Sequence, residues 1–309
     1  MLEAVLLVLI GLAGLGLGGE LLVRGSVAIA KRLGVSDLAT GLIIVGFATS
    51  MPEMVASLEA ALVGSPGIAW GNIVGSNLAN TLLILGITSL IAPVRNIGSG
   101  KRDAFVALAL TLVFFILGFS QLAHFGIGLA MLIGVTIYVI LRYKMGPEEQ
   151  APSSTSNQSK VLPFNYAIIL FGAGLVSLIY GGQFLVSGGI DLARLADVSE
   201  TVIGLTVVAV GTSLPELAAS VAAAIRGRSG LALGNILGSN IYNILLIGGA
   251  TMFVAPSAIP PELQNYDIWL LLISAVLLYI LTSKASQIGP RVGLFLVMIF
   301  SMNVILAFI

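Results

Sequence analysis

Two glutamates stand inside otherwise apolar stretches, each at the end of the same short pattern: Thr49, Ser50, Met51, Pro52, Glu53 and Thr212, Ser213, Leu214, Pro215, Glu216. A carboxylate in apolar surroundings persists where it faces a cavity, a partner or an ion. The proline before each acid removes a backbone donor, and Gly46 and Gly211 lie close by, so a helix is expected to unwind here. Unwinding frees carbonyls and aims the hydroxyls of Thr49, Ser50, Thr212 and Ser213 into one space, the oxygen shell that hard cations require. The next apolar stretch supplies a second wall. Asn72, Ser76 and Asn80 recur every four residues, as do Asn235, Ser239 and Asn243, so each set forms one polar helical stripe. Asn72 and Asn235, nearer the ends of their stretches, read as interhelical hydrogen-bonding residues. Ser76, Asn80, Ser239 and Asn243 read as site-lining, and Asn77 and Asn240, off the stripe, read as packing residues.

The elements that must carry these groups follow from composition. With 58% hydrophobic and 9% charged residues among 309, and a mean hydropathy of +1.08, the chain lacks the polar surface of a soluble protein. It reads as an all-α polytopic membrane protein with the lipid bilayer as its partner. A net charge of zero with scattered basic residues gives no footprint for nucleic acid, and no obligate protein partner is implied. The absence of cysteine removes disulfides, thiolate ligands and thiol redox chemistry.

Apolar stretches long enough to span fall at about 2 to 23, 38 to 62, 69 to 91, 104 to 121 and 124 to 143, then at about 164 to 187, 201 to 225, 231 to 254, 266 to 282 and 291 to 309. The first begins with an acidic Glu3 and no basic leader, and reads as a retained helix. Between the fives, residues 146–162 have linker composition, giving two units, 1–145 and 163–309. Lys and Arg concentrate in alternate loops: Arg24, Lys31 and Arg32; Arg95, Lys101 and Arg102; Arg142, Lys144 and Lys160; Arg226 and Arg228; Lys284 and Arg291. The other side carries only Arg194. The positive-inside rule therefore places the linker in the cytoplasm and both termini outside, most naturally at the plasma membrane.

The two halves superpose without a gap at an offset of 163 residues (216 minus 53). Residues 41–93 and 204–256 are identical at about half their positions, more than shared hydrophobicity produces. Because each copy holds an odd number of spans, the second enters the membrane from the opposite face. About ten transmembrane helices arranged as two inverted five-helix repeats point to a transporter.

The segments GFATSMPE with GNIVGSNLAN, and GTSLPE with GNILGSNIYN, resemble the paired alpha repeats of the calcium/cation antiporter superfamily, specifically its Na+/Ca2+ exchanger branch. The resemblance implies a core of four motif helices across which the long first and sixth helices slide, a Na+/Ca2+ antiport activity by alternating access, and four clustered cation sites. Carried over by motif position, it implies that Ca2+ is held by the carboxylates of Glu53 and Glu216 and by backbone oxygens near Thr49 and Thr212. Na+ would use Ser50, Ser76, Ser213, Ser239, carbonyls at Gly46 and Ala209, and the same glutamates. Asn80 and Asn243 would line the centre. Two positions depart from the family pattern: Ala48 stands where a glycine usually precedes Thr49, and Asn243 stands where several relatives carry Asp, which argues against K+ cotransport. The short linker has no room for a large Ca2+-sensing domain.

Two carboxylates can neutralise one Ca2+, or be neutralised by several Na+ or by protons, but resist facing each other empty and charged. That penalty couples the ions. An H+/Ca2+ exchanger of the same fold is the alternative. A cation channel fits less well, because duplicated broken helices around buried acids suit occlusion, and nothing supplies a catalytic constellation or calls for a cofactor. Gly14, Gly16 and Gly19 are expected to serve packing, His124 to sit at an interface without binding metal, Glu20 to pair with Arg24, and Glu59 to line an outer vestibule or to snorkel.

Overall fold

The computed structural model describes residues 1–95, 100–120, 122–145, 162–196 and 211–306. The linker from 146 to 161 and the first part of the seventh span, 201–210, lie outside them. Helix α1 runs Leu2–Leu33, α2 Asp37–Thr49, α3 Met51–Leu62, α4 Pro66–Ile91, α5 Gly100–Ser120 and α6 Phe125–Lys144. The second half follows with α7 Phe164–Leu195, α8 Leu214–Ile225, α9 Ser229–Val254, the short α10 Pro261–Asn265, α11 Asp267–Lys284 and α12 Pro290–Leu306. Seven of these helices are long and apolar enough to cross a bilayer singly, and α2 with α3 makes an eighth crossing as a bent pair. Among the described residues, α8 and α12 are shorter apolar helices standing at the seventh and tenth expected spans. The fold is a helical membrane protein of two repeated halves, with one addition: β1 (Val94–Arg95) pairs antiparallel with β2 (Gln287–Ile288).

Helix α1 extends ten residues past the expected end of the first span and stops at Gly34, which adopts the left-handed conformation (φ 65°). The charged residues that suggested an earlier end are carried on the helix itself. Arg24 Nη2 lies 2.6 Å from Glu20 Oε1, as the spacing of four predicted, and Arg226 of the other repeat also pairs with Glu20.

Helices α1 and α7 occupy equivalent places in the two repeats and run antiparallel, as an inverted repeat requires. Their crossing is set by glycines seven residues apart. A Cβ added at Gly11, Gly18 or Gly25 would stand 2.5, 2.8 or 2.5 Å from the backbone nitrogen of Leu185, Leu178 or Phe171 respectively. The partners also descend by sevens. Gly174 and Gly181, offset by 163 from Gly11 and Gly18, meet backbone nitrogens of α1 in the same way, and Gly188 meets the Ala4 carbonyl at 2.7 Å, so neither helix tolerates a larger residue at the seam. At the centre Ser177 Oγ donates to the carbonyl of Gly14, its own repeat counterpart, at 2.8 Å. Gly14 and Gly19 thus serve packing as expected, whereas Gly16 has nothing within 4 Å of a notional Cβ.

Around this pair, α4 and α9 form the buried centre, with α9 enclosed along nearly its whole length. Trp70, Leu82, Leu85, Leu237, Ile241 and Tyr242 anchor the main apolar cluster. The basic loops gather on one face. Arg228 Nη1 reaches Asp37 Oδ2 at 3.2 Å, Arg32 Nη2 donates to the carbonyl of Leu162 at 3.2 Å, and the β1 and β2 loops join directly. Arg142 departs from its expected place as a loop charge: it is 4% exposed, its Nε lies 3.3 Å from Asp103 Oδ2, and Tyr138 donates to Asp103 Oδ1 at 2.9 Å. A buried guanidinium needs such partners, and α5 and α6 provide them. His124 caps α6 by accepting from the Gly126 amide at 3.0 Å, and Glu59 is exposed on α3.

Candidate ion-binding site

The break that positions Glu53 is tighter than the sequence suggests. Only Ser50 (φ −81°, ψ 3°) separates α2 from α3, and the two meet at a bend of 43°. Backbone bonds from Ser50 to Gly46 and from Met54 to Ser50, both 3.1 Å, continue the i to i−4 ladder past the bend. Pro52 sits in the first turn of α3, where its missing N–H costs little, so the chain bends without a long unwound stretch. Ala48 lies inside the helical turn Gly46–Thr49. The second repeat repeats the geometry: Ser213 (φ −91°, ψ 5°) precedes α8, Pro215 lies in the first turn, and the Leu217 amide donates to Ser213 at 3.1 Å. Each glutamate thus sits in the first turn of its helix, where the dipole favours negative charge.

Glu53 and Glu216 are each 2% exposed and near enough to act on one another electrostatically. Ser50 Oγ approaches Glu216 Oε1 at 3.5 Å, and Thr49 Oγ1 shares its proton between the carbonyl of Val45 (3.1 Å) and Asn235 Oδ1 (3.2 Å). Both contacts of Ser50 and Thr49 to Glu216 and Asn235 cross from one repeat to the other. Gly46 packs so closely on α9 that a Cβ would stand 3.1 Å from the Ser239 nitrogen. Ser76 and Asn80 on α4, and Ser239 and Asn243 on α9, are buried. Asn80 and Asn243 each lie at the start of a π-helical turn, Ala79–Ile84 and Asn243–Gly248, of a kind that gathers at functional sites and that the sequence did not announce. Helix α3 packs on the turn of Asn243, and α8 packs on the turn of Asn80. Thr212 is half-buried beside Ser213. Ala209 lies outside the described residues.

Six buried oxygens of this set have no hydrogen-bond partner: Glu53 Oε2, Glu216 Oε2, Asn80 Oδ1, Asn243 Oδ1, Ser213 Oγ and Ser239 Oγ. Buried polar atoms are nearly always satisfied. A concentration of unsatisfied acceptors around two carboxylates is the donor set of a hard cation. Among the described residues no cluster of three or more His, Cys, Asp or Glu exists that could hold a metal, so the charge available is that of two acids among neutral oxygens.

Asn72 and Asn235 behave as interhelical residues, and they do so identically. Asn72 Nδ2 donates to the carbonyl of Glu53 at 3.2 Å and to Ser57 Oγ at 2.9 Å; Asn235 Nδ2 donates to the carbonyl of Glu216 at 3.2 Å and to Ser220 Oγ at 2.9 Å. Ser57 and Ser220 escaped the sequence reading, although each stands four residues after its glutamate in both copies. Asn77 donates to the carbonyl of Ile73 at 2.7 Å in its own helix, and Asn240 to Thr81 Oγ1 at 3.0 Å, in keeping with a packing role.

Comparison with known proteins places the chain among ion exchangers. The sequence profile of the family described as sodium/calcium exchanger protein matches residues 3–144 and 166–309. The chain is 33% identical to the putative antiporter CaxA of Alkalimonas amylolytica, covering 97% of each chain. It is 30% identical to the sodium/calcium exchanger MaX1 of Methanosarcina acetivorans, covering 96% of this chain and 95% of that one. Its structure is similar to that of the sodium-calcium exchanger NCX_Mj soaked with zero Na+ and Ca2+, with a TM-score of 0.82, 31% identity and 97% of each chain covered.

Proposed function

The chain belongs to the sodium/calcium exchanger family, a family of membrane antiporters and not of enzymes, and from that premise we propose that it exchanges Na+ for Ca2+ by alternating access. The observation that carries the reading is the set of six partnerless buried oxygens around Glu53 and Glu216, of which the two glutamates and Asn80 with Asn243 stand at matched positions of the two repeats. In this reading Ca2+ is held by the two carboxylates with backbone oxygens near Thr49 and Thr212. Na+ takes Ser50, Ser76, Ser213, Ser239, the carbonyls of Gly46 and Ala209, and the same acids. Asn80 and Asn243 line the centre. Shared ligands make the two substrates exclude each other, and two bare carboxylates in a low-dielectric site oppose the return of an empty carrier.

Residues 1–145 and 163–309 act as the two inverted repeats, with 146–162 as a cytoplasmic linker and both termini outside, because the basic loops share one face. An asymmetry supports alternating access. On the basic face α1 seats Gly19 against α8, where a Cβ would meet the Ala218 carbonyl and the Ala222 Cβ at 2.9 Å. Its counterpart Gly182 instead faces Leu214, Gly211 and Pro215, with the nearest atom 3.7 Å from a notional Cβ, and not the matching Val55 and Glu59 of α3. At Gly19, α1 thus packs on α8 in a way that α7 does not repeat on α3 at Gly182. MaX1 and NCX_Mj, both named sodium/calcium exchangers, favour Na+ as the coupling ion. Protons can discharge the same carboxylates, so H+/Ca2+ exchange is the competing reading. Purified protein in liposomes, with Na+, K+ and pH gradients imposed separately, decides between them: Ca2+ uptake should follow the Na+ gradient and persist without K+. Uptake that follows only the pH gradient would replace Na+ by H+.

A further inference from the structure

We propose that Ser57 with Asn72, and Ser220 with Asn235, are paired positioning residues that fix the direction of the two carboxylates, a role that rests on the exchange reading above. Each asparagine spends both amide protons on one turn of the neighbouring helix, one on the glutamate's own carbonyl and one on the serine hydroxyl four residues later. Two bonds to positions one turn apart hold a helix against rotation about its axis and against sliding along it. The Cα–Cβ direction of the acid between the helix start and this clip is then fixed, which limits where its carboxylate can reach. Ser57 and Ser220 are fully buried, so neither hydroxyl has water as a substitute partner. The distances agree at 3.2 and 2.9 Å in both repeats. A merely incidental contact would not be expected to keep the same pair of bonds in two halves that differ at about half their aligned positions.

The two clips differ in one respect. Asn235 Oδ1 also faces Thr49 of the first repeat at 3.2 Å. The mirror contact, from Thr212 to Asn72, is not formed, and Ser213 Oγ has no partner. Asn235 therefore ties the backbone of Glu216 to the bend that carries Glu53, and sets the two acids relative to each other. The Asn235 clip should matter more than the Asn72 clip in the arrangement seen here.

Groups that orient a metal's ligands without touching the metal typically carry about 10- to 100-fold in affinity. Ser57→Ala and Ser220→Ala should raise the Ca2+ KM of uptake into liposomes by about that factor, with Ser220→Ala the more severe. The preference for Ca2+ over Sr2+ should shift as well, which a loss of folded protein alone would not produce. Ser57→Thr and Ser220→Thr, which keep the hydroxyl, should restore both quantities. Where an alanine variant does not transport, the rise in melting midpoint on adding Ca2+ to detergent-solubilised protein replaces KM, and Ser220→Cys, close to serine in volume, serves as the second variant. Loss of the Ca2+-induced rise supports the role. Alanine and cysteine variants with parental KM, parental Sr2+ preference or a parental Ca2+-induced rise would overturn it. A parent protein that neither binds nor moves Ca2+ removes the exchange reading together with this role; an active parent with indifferent variants removes only the role.

Discussion

The ion pair between Glu20 on α1 and Arg226 just past α8 stands on the basic face, and the matching positions of the other repeat carry no charges to form it. At the offset of 163 residues, Glu20 corresponds to Gln183, Arg24 to Ser187 and Arg226 to Val63. If α1 and α7 move as a unit against α3 and α8, opening the basic face must break this pair, while opening the other face breaks nothing equivalent. Arg226→Gln should therefore favour the state open to the basic face. Glu20 and Arg226 are each 33% exposed, so the pair belongs with surface salt bridges worth about 0.2 to 1 kcal/mol rather than with buried ones. A Glu20 shared between Arg24 and Arg226 keeps one partner when the other leaves, which holds the loss toward the lower half of that range. With about 1.4 kcal/mol per factor of ten, the upper bound is roughly a five-fold shift in the access equilibrium.

Apparent affinity scales with the population of the competent state. The Ca2+ concentration for half-maximal transport should then fall on the basic face and rise on the other, together changing their ratio by up to about five-fold. Two-sided flux in liposomes of known orientation measures that ratio. The difference between parent and variant should shrink at high salt, because half-exposed charges are screened. The ratio for Glu20→Gln should move in the same direction. An unchanged ratio in both variants, or equal changes on both faces, would refute the argument that this pair weights one access state over the other.

Glu53→Gln and Glu216→Gln, nearly isosteric, should each abolish Ca2+ exchange while leaving the protein monodisperse in detergent; near-normal uptake by either would sink its assignment as a shared ligand. Gly18→Ala places a Cβ about 2.8 Å from the Leu178 backbone nitrogen, where no flexible side chain can yield, and overpacking of this kind costs about 1 to 3 kcal/mol. A lowered melting midpoint is expected there, with Gly16→Ala, which meets nothing, as the silent control. Asn243→Asp adds a third acid to the centre, whose repulsion by the other two is relieved by a proton or an extra cation, so uptake should become more sensitive to pH or to K+. Identical pH and K+ profiles for parent and variant would contradict a centre with two charges.

What the sequence made legible was whatever the duplication wrote twice. The offset of 163 brought Glu53 and Glu216, the serines beside them, and the asparagine stripes into correspondence, and the structure buries most of those groups in and around one centre. Length was harder. The first span looked finished at residue 23 because three charges follow within nine residues, yet Glu20, Arg24 and Arg226 satisfy one another and α1 continues to Leu33. The proline before each acid suggested an unwound stretch, but a proline in a first helical turn surrenders a bond that was never to be made. The π-helical turns at Asn80 and Asn243 left no trace, since they arise from backbone register and not from side-chain type. Arg142 looked like a loop charge because its partner Asp103 is 39 residues away on another helix (142 minus 103).

Ser57 and Ser220 illustrate a different kind of blindness. In an apolar helix a serine reads as a small residue suited to close packing, and the two copies agree on many small residues for that reason. The seam glycines Gly11, Gly18, Gly25, Gly174 and Gly181 show the same agreement, and for them packing is the whole explanation: they meet backbone, at distances only a hydrogen atom can occupy. The serines differ because an amide proton ends on each hydroxyl. Repetition in the sequence therefore marks two physically distinct constraints, the approach of two backbones and the orientation of two acids. In the alternating-access reading, the first belongs to the moving helices α1 and α7 and the second to the core that holds the site. An exchanger needs both, because a carrier whose ligands shifted with the moving helices would lose its site each time it opened.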